Sequence, residues 1–335
     1  MMNTVGRKAA LALLLWLAAG AQAAMAQSKV RIVSVVVNSS YLPLWAADEY
    51  GLFAKHGIDA EIRILDGAWR HLGSDNPFGV VGVPAAMLGV AEGKDLKVLL
   101  PVDLPQVTTQ LVAARDIKTP EALRGKRIGT ATFGAGAWIN SQLALQHLGL
   151  DAERDGITFV DVGGVPQQVA ALEAGRVDAI TIEPARAAQL RANGFSLILD
   201  LQAANITGVQ SALVVTTQFL RQRPDVVEKV VTALAEGFAF ALAPQNEELV
   251  RKTIAARMNL STPAAVDGAY RSFLTRANGQ LTPSIPAMRN MQRVIGLTDP
   301  RALAIAVEDL AHDQIVRKLH ENGTVGRLYE SYGVK

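Results

Sequence analysis

Thr132-Phe133-Gly134-Ala135-Gly136 is the stretch of this 335-residue chain best suited to holding an anion. It follows a short apolar strand and precedes a helix, leaving unpaired backbone N–H groups at a positive helix end. Its small residues admit close approach, and Thr132 adds a hydroxyl. An ordinary glycine turn explains the same residues, because neither a Walker loop nor a Gly-x-Gly-x-x-Gly fingerprint is present. A second polar corner, Asn38-Ser39-Ser40-Tyr41, offers several hydrogen-bonding groups, with capping of the next helix as the alternative. Glu183, ahead of Pro184, can accept from an amine or hydroxyl or simply seat a helix start. Tyr41 and Trp69 are candidates to floor a pocket for an apolar moiety; core packing is the competing reading.

Other chemistries are poorly served. The histidines are His56, His71, His147, His312 and His320, and no two share a helix turn, so no metal site is expected. The chain has no cysteine, which removes disulfides, thiolate ligands and thiol nucleophiles together. No serine sits in a Gly-x-Ser-x-Gly setting. No catalytic residue and no cofactor is expected.

The elements that must position these corners alternate in type. Val30 to Val37 reads as a strand. After the polar corner, Leu42-Pro43-Leu44-Trp45 opens a helix, with proline suited to its first turn. Gly51 and Gly57 punctuate the way to a strand at Ile58 to Leu65. Further strands are expected at Phe78–Val83, Leu96–Leu100 and Gln110–Ala113. A second α/β unit follows, with strands at Arg127–Thr130, Ile157–Val160, Asp178–Ile182 and Phe195–Leu199. The spacing of Val227, Val230, Val231, Leu234, Phe238 and Ala241 predicts a long amphipathic helix opened by Pro224. Beyond it, helices are expected at about Glu247–Met258, Pro263–Ala277, Ile285–Ile295, Arg301–Leu310 and Gln314–Glu321. In an open α/β sheet, ligands bind beyond the carboxyl ends of the strands, where both polar corners lie.

The first 26 residues read as an export signal: Arg7-Lys8, an apolar run from Ala9 to Ala19, then Ala24-Met25-Ala26. The apolar run is shorter than a spanning helix requires. No cysteine follows the cleavage pattern, so the expected product is soluble, periplasmic and not a lipoprotein. Removing the signal leaves 31 basic and 31 acidic residues, which is no footprint for nucleic acid.

Several segments together resemble one family. Pro43-Leu44-Trp45-Ala46, Gly51-Leu52-Phe53 and Gly57-Ile58-Asp59-Ala60-Glu61 are similar to the opening of substrate-binding proteins of nitrate/sulfonate/taurine ABC importers. Ile117 to Gly129, Ala171 to Ala179, Glu183-Pro184 and Arg223 to Val227 resemble later stretches of the same pattern. One departure is Ser74-Asp75-Asn76-Pro77, where the family often carries Gly-x-x-Asp. The resemblance implies an α/β, two-lobed type II periplasmic binding fold with a helical C-terminal region. Its divisions would be a signal at 1–26, lobe one at 27–114, lobe two at 115–211 and a return to lobe one at 212–335. The hinge would cross near Ala113–Asp116 and Gln210–Leu213. Ligand would sit among Ser39, Ser40, Tyr41, Trp69, Pro84 and Ala85 on one side, and Thr132, Phe133, Gly134, Ala135, Gly136, Glu183 and Gln210 on the other. The implied function is capture of a small molecule, an organic or inorganic anion such as a sulfonate, by a monomer that delivers it to an ABC permease. The alternatives are a hydrolase or pyrimidine-synthase-like enzyme on the same fold, or a ligand sensor for a membrane receptor.

Overall fold

The computed structural model describes residues 27–35, 39–103, 106–131, 136–208, 211–277 and 281–334. The expected signal at 1–26 lies outside them. Among the described residues ten strands form two five-stranded sheets. Sheet one has the order β2-β1-β3-β10-β4, from β1 (Ser28–Ser34), β2 (Ile58–Ile64), β3 (Phe78–Gly82), β4 (Leu96–Pro101) and β10 (Ser211–Thr216). Sheet two has the order β7-β6-β8-β5-β9, from β5 (Gln110–Ala113), β6 (Arg127–Thr130), β7 (Thr158–Asp161), β8 (Ala179–Ile182) and β9 (Ser196–Asp200).

The two sheets share one plan. In sheet one, β1 pairs in parallel with β2 and β3, and β10 runs antiparallel between β3 and β4. In sheet two, β6 pairs in parallel with β7 and β8, and β5 runs antiparallel between β8 and β9. The antiparallel strand of each sheet is therefore the one by which the chain arrives from the other. Between the sheets the two crossings touch: Gln106 bridges Thr207, and the Val107 N–H donates to the Ile206 carbonyl at 3.0 Å.

This pairing corrects the first boundary. Gln110–Ala113 was expected to close lobe one, within 27–114, yet it is the fourth strand of sheet two, so the crossing precedes Gln110 rather than lying at Ala113–Asp116. A short run buried throughout, as this one is, carries no local mark of which sheet it joins.

Alternation along the central strands distributes the core. In β10, Leu213 and Val215 face one layer while Ala212 and Val214 face the other. The first layer packs under the helix Pro224–Leu242, whose predicted stripe from Val227 to Ala241 is buried in full. The second layer runs without a break from sheet one to sheet two, joining Val81 and Val98 to Leu111 and Ile128. Burying such a side chain contributes about 1.5–3 kcal/mol. A smaller third layer covers the far face of sheet two through Val112, Leu172 and Ile180.

The opening motif is positioned by this packing. The helix Leu42–Glu49 lies across the helix Pro224–Leu242, with Gly237 at the closest approach: a Cβ there would come 2.2 Å from the Pro43 carbonyl oxygen. Gly51 and Gly57 both take positive φ, 69° and 73°. The C-terminal helices fall where the periodicity placed them, with two differences. Arg301–Leu310 is broken into a 3-10 turn, Pro300–Ala304, and a short helix, Val307–Leu310. A further helix, Thr324–Ser331, follows the last one expected. Among the described residues no helix is long and apolar enough to cross a membrane.

Candidate functional site

Strand direction brings the polar corners to corresponding edges. The carboxyl ends of β1 and β3 lead to Ser39–Tyr41 and to the helix Val83–Ala91, while β4 ends at Pro101, shortly before Asp103. In sheet two, β6 leads to the helix Gly136–His147, and β8 runs into Glu183.

On sheet one the corner is closed into a network. Ser39, Ser40 and Tyr41 form a 3-10 turn and are buried, Tyr41 with only 1% of its surface exposed. The Tyr41 hydroxyl lies 3.2 Å from the Ser211 hydroxyl at the start of β10. The Ser211 N–H in turn donates to an Asp103 carboxylate oxygen at 3.5 Å. Burial raises the Tyr41 pKa to about 12, partly offset by the hydrogen bond with Ser211 and reinforced by the Asp103 charge. The turn packs against the helix Pro263–Arg276, and its tyrosine is tied to the start of β10. Pro84 is buried and Ala85 half-buried in the first turn of their helix, beside this network at the same sheet edge.

Trp69 does not join them. It sits in a 3-10 turn, Ala68–His71, with its ring 3.0 Å from where a Cβ on Gly89 would lie and the Arg70 guanidinium stacked over it. Gly89 is six residues into a helix that starts at the cleft edge, roughly 9 Å along its axis. Trp69 is therefore a core residue beneath that helix, admitted because Gly89 carries no side chain.

On sheet two, Gly136 begins its helix and is exposed, and a Cβ there would meet no described residue within 4 Å. The helix is tied to β8 by the Ser141 and Thr181 hydroxyls, 3.0 Å apart, and by Thr181 donating to the Ala137 carbonyl. Thr132, Phe133, Gly134, Ala135 and Gln210 lie outside the described residues. Glu183 caps the start of the helix Pro184–Ala192 by position and pairs with Arg186 at 2.8 Å, half in solvent.

Some polar groups at these edges escaped the sequence reading: Asp103, Ser211 and the pair Gln110 and Asp200, joined at 2.6 Å. An acid soon after the apolar run of β4 was a usable signal for Asp103. Ser211 had none, because its partners are more than 100 residues away. Among the described residues at these edges carboxylates outnumber cations: Asp103, Glu183 and Asp200 stand against Arg186, which is already paired. Any anion between these edges must rely on hydroxyls and backbone N–H groups rather than on a guanidinium fork. Among the described residues no group of three or more metal-ligating side chains occurs.

A family model described as NMT1/THI5 like matches residues 38–248. The chain belongs to that family. Solved structures share its fold across nearly the whole chain. A putative sulfonate ABC transporter periplasmic sulfonate-binding protein, SsuA, from Methylobacillus flagellatus KT superposes with a TM-score of 0.68 at 17% identity, covering 90% of this chain and 96% of that one. The periplasmic nitrate-binding protein NrtA from Synechocystis PCC 6803 gives a TM-score of 0.62 at 12% identity, covering 92% of each chain. A cysteine-to-serine mutant of DSZB, in complex with biphenyl-2-sulfinic acid, gives 0.57 at 19% identity, covering 88% of this chain and 99% of that one. Among curated protein sequences none matches this chain. At these identities the likeness establishes the two-lobed periplasmic binding protein fold of this NMT1/THI5-like chain.

Proposed function

We propose that this NMT1/THI5-like protein is an extracytoplasmic solute-binding protein. It captures a small molecule, an organic or inorganic anion such as a sulfonate, between its lobes and delivers it to an ABC permease. The observation that carries the reading is the pair of matching sheets, joined by two touching crossings, with polar corners at corresponding strand ends. Such a hinge lets lobes close on a ligand and gives a permease two forms to distinguish. The sulfonate- and nitrate-binding proteins among the solved neighbours support this ligand class. The export signal expected at 1–26 and the absence of cysteine accord with a soluble periplasmic monomer.

An enzyme on this fold is the rival. The solved DSZB structure has a cysteine exchanged for serine, and a chain without cysteine has no thiolate with which to attack a substrate. The test is a thermal-shift screen of the chain from Gln27 onward against sulfonates, nitrate, carboxylates and amine-bearing pyrimidines. A ligand that binds the native state raises the melting temperature by mass action. Anions raising it while neutral amines do not is the expected outcome. A response to amines alone would turn the reading toward the carboxylates Asp103 and Glu183, and no response at all would remove it.

A further inference from the structure

A groove of about 560 Å³ lies at the hinge, distinct from the polar corners. One wall is the C-terminal half of the helix Gly136–His147 with the following turn, carrying His147 and Arg154. The opposite wall is the helix Ile285–Gly296, carrying Asn290 and Arg293. The crossing segment from Ala204 to Thr207 forms the floor between them. The helix Gly136–His147 starts at the cleft edge, and Leu143 to His147 lie roughly 10–16 Å along its axis, so the groove opens away from the cleft.

Its chemistry is one-sided. His147, Arg154 and Arg293 converge on the groove, and no aspartate or glutamate lines it. Asn205 and Thr207 add polar groups over an apolar base of Leu143 and Ile206. By contrast, the groove of about 400 Å³ at the amino end of β4 sets Asp95 and Asp309 against its lysines and Arg301. Part of the hinge groove's charge is committed: Arg154 donates to the Gly149 carbonyl at 2.8 Å and pairs with Asp155, which fixes the guanidinium in place. Arg293 bonds the Asn290 side-chain oxygen, and His147 is exposed at the helix end. Two guanidiniums held in place beside an exposed imidazole suit a ligand with more than one anionic group.

The helix Ile285–Gly296 packs both on the lobe-one helix Val83–Ala91 and on the opposite wall, the helix Gly136–His147. Asn290 fastens it to the crossing, donating to the Thr207 carbonyl at 2.7 Å and to its hydroxyl at 3.1 Å. Next to this staple, Met291 reaches within 2.7 Å of where a Cβ on Gly208 would lie, with Leu143 of lobe two at 3.5 Å from the same point.

We propose that this groove is a second binding site, for a small multivalent anion such as a tricarboxylate. The groove's role is independent of what the cleft binds. The probe is citrate, titrated calorimetrically into the chain from Gln27 onward at matched ionic strength. The expected result is saturable binding near or below about 1 mM, weakened about tenfold or more in His147→Glu/Arg293→Glu, as loss of charge-assisted contacts requires. Both substituted side chains are exposed, so an unchanged melting temperature for the double variant verifies the fold. Gly136→Trp, which fills the cleft edge, should leave citrate binding intact. Citrate binding that is absent, that survives the double variant unchanged, or that is lost in Gly136→Trp overturns the proposal.

Discussion

The Tyr41 hydroxyl meets the Ser211 hydroxyl 3.2 Å away, across 170 residues of chain. That contact joins the first polar corner of lobe one to the strand by which the chain returns from lobe two. It makes the corner a product of both crossings rather than of the opening β–α–β unit alone.

Tyr41→Phe leaves the Ser211 hydroxyl buried with a partner removed, and the expected loss of stability is about 1 kcal/mol. Ser211→Ala should cost a similar amount. Because the two groups share one bond, the double variant should lose less than the sum of the singles. Urea denaturation of the four proteins measures the coupling, and strictly additive losses would mean that the bond contributes nothing.

Glu236 ties the opening segment to the C-terminus. Its carboxylate is fully buried and accepts from Lys55, from His56 at 2.6 Å and from the Tyr332 hydroxyl at 2.7 Å. Burial alone would raise its pKa, but the bonds from His56, Lys55 and Tyr332 outweigh it and hold the group at about 2, against an ordinary 4.5. A carboxyl depressed in the folded state stabilises above its unfolded pKa, and that contribution fades as pH falls through the folded value. The expected consequence is loss of about 3 kcal/mol between roughly pH 4.5 and pH 2, absent in Glu236→Gln. Thermal melts of both proteins across this range check it; parallel curves would contradict it.

Gly237 and Gly268 give a paired steric test. At Gly237 a Cβ would strike the Pro43 carbonyl at 2.2 Å, so Gly237→Ala must push the two helices apart, at an expected cost of about 1–3 kcal/mol. Gly268 is exposed in the helix Pro263–Arg276 with nothing within 4 Å, so Gly268→Ala should stabilise by roughly 0.5–1 kcal/mol. Melting temperatures moving in opposite directions are expected; a neutral Gly237→Ala would mean the helices do not meet there.

The sequence was most legible where one periodic pattern settled a long element. The stripe from Val227 to Ala241 predicted both the helix and the face it buries. The glycines at 51 and 57 likewise announced the turns that their backbone angles confirm. The sheet membership of Gln110–Ala113 was hidden, because pairing between β8 and β9 is a long-range choice that a four-residue apolar run does not encode. The burial of Ser39–Tyr41 was hidden for the same reason: the helix packed on them begins at Pro263. Trp69 misled because an aromatic beside an arginine near a strand end looks like a pocket floor, while the glycine that receives its ring lies twenty residues away.

The central claim is that a ligand is held between the two sheet edges, and Gly136 gives the most direct access to it. No described residue lies within 4 Å of the added Cβ, so Gly136→Trp should fold normally while filling the edge of the cleft. The decisive measurement is a calorimetric titration of the best ligand from the screen into the parent protein and into Gly136→Trp. The expected result is one-to-one binding to the parent, weakened by about a hundredfold or more in the variant, a difference of roughly 3 kcal/mol. Equal affinity in the two proteins would place the ligand elsewhere and contradict the account.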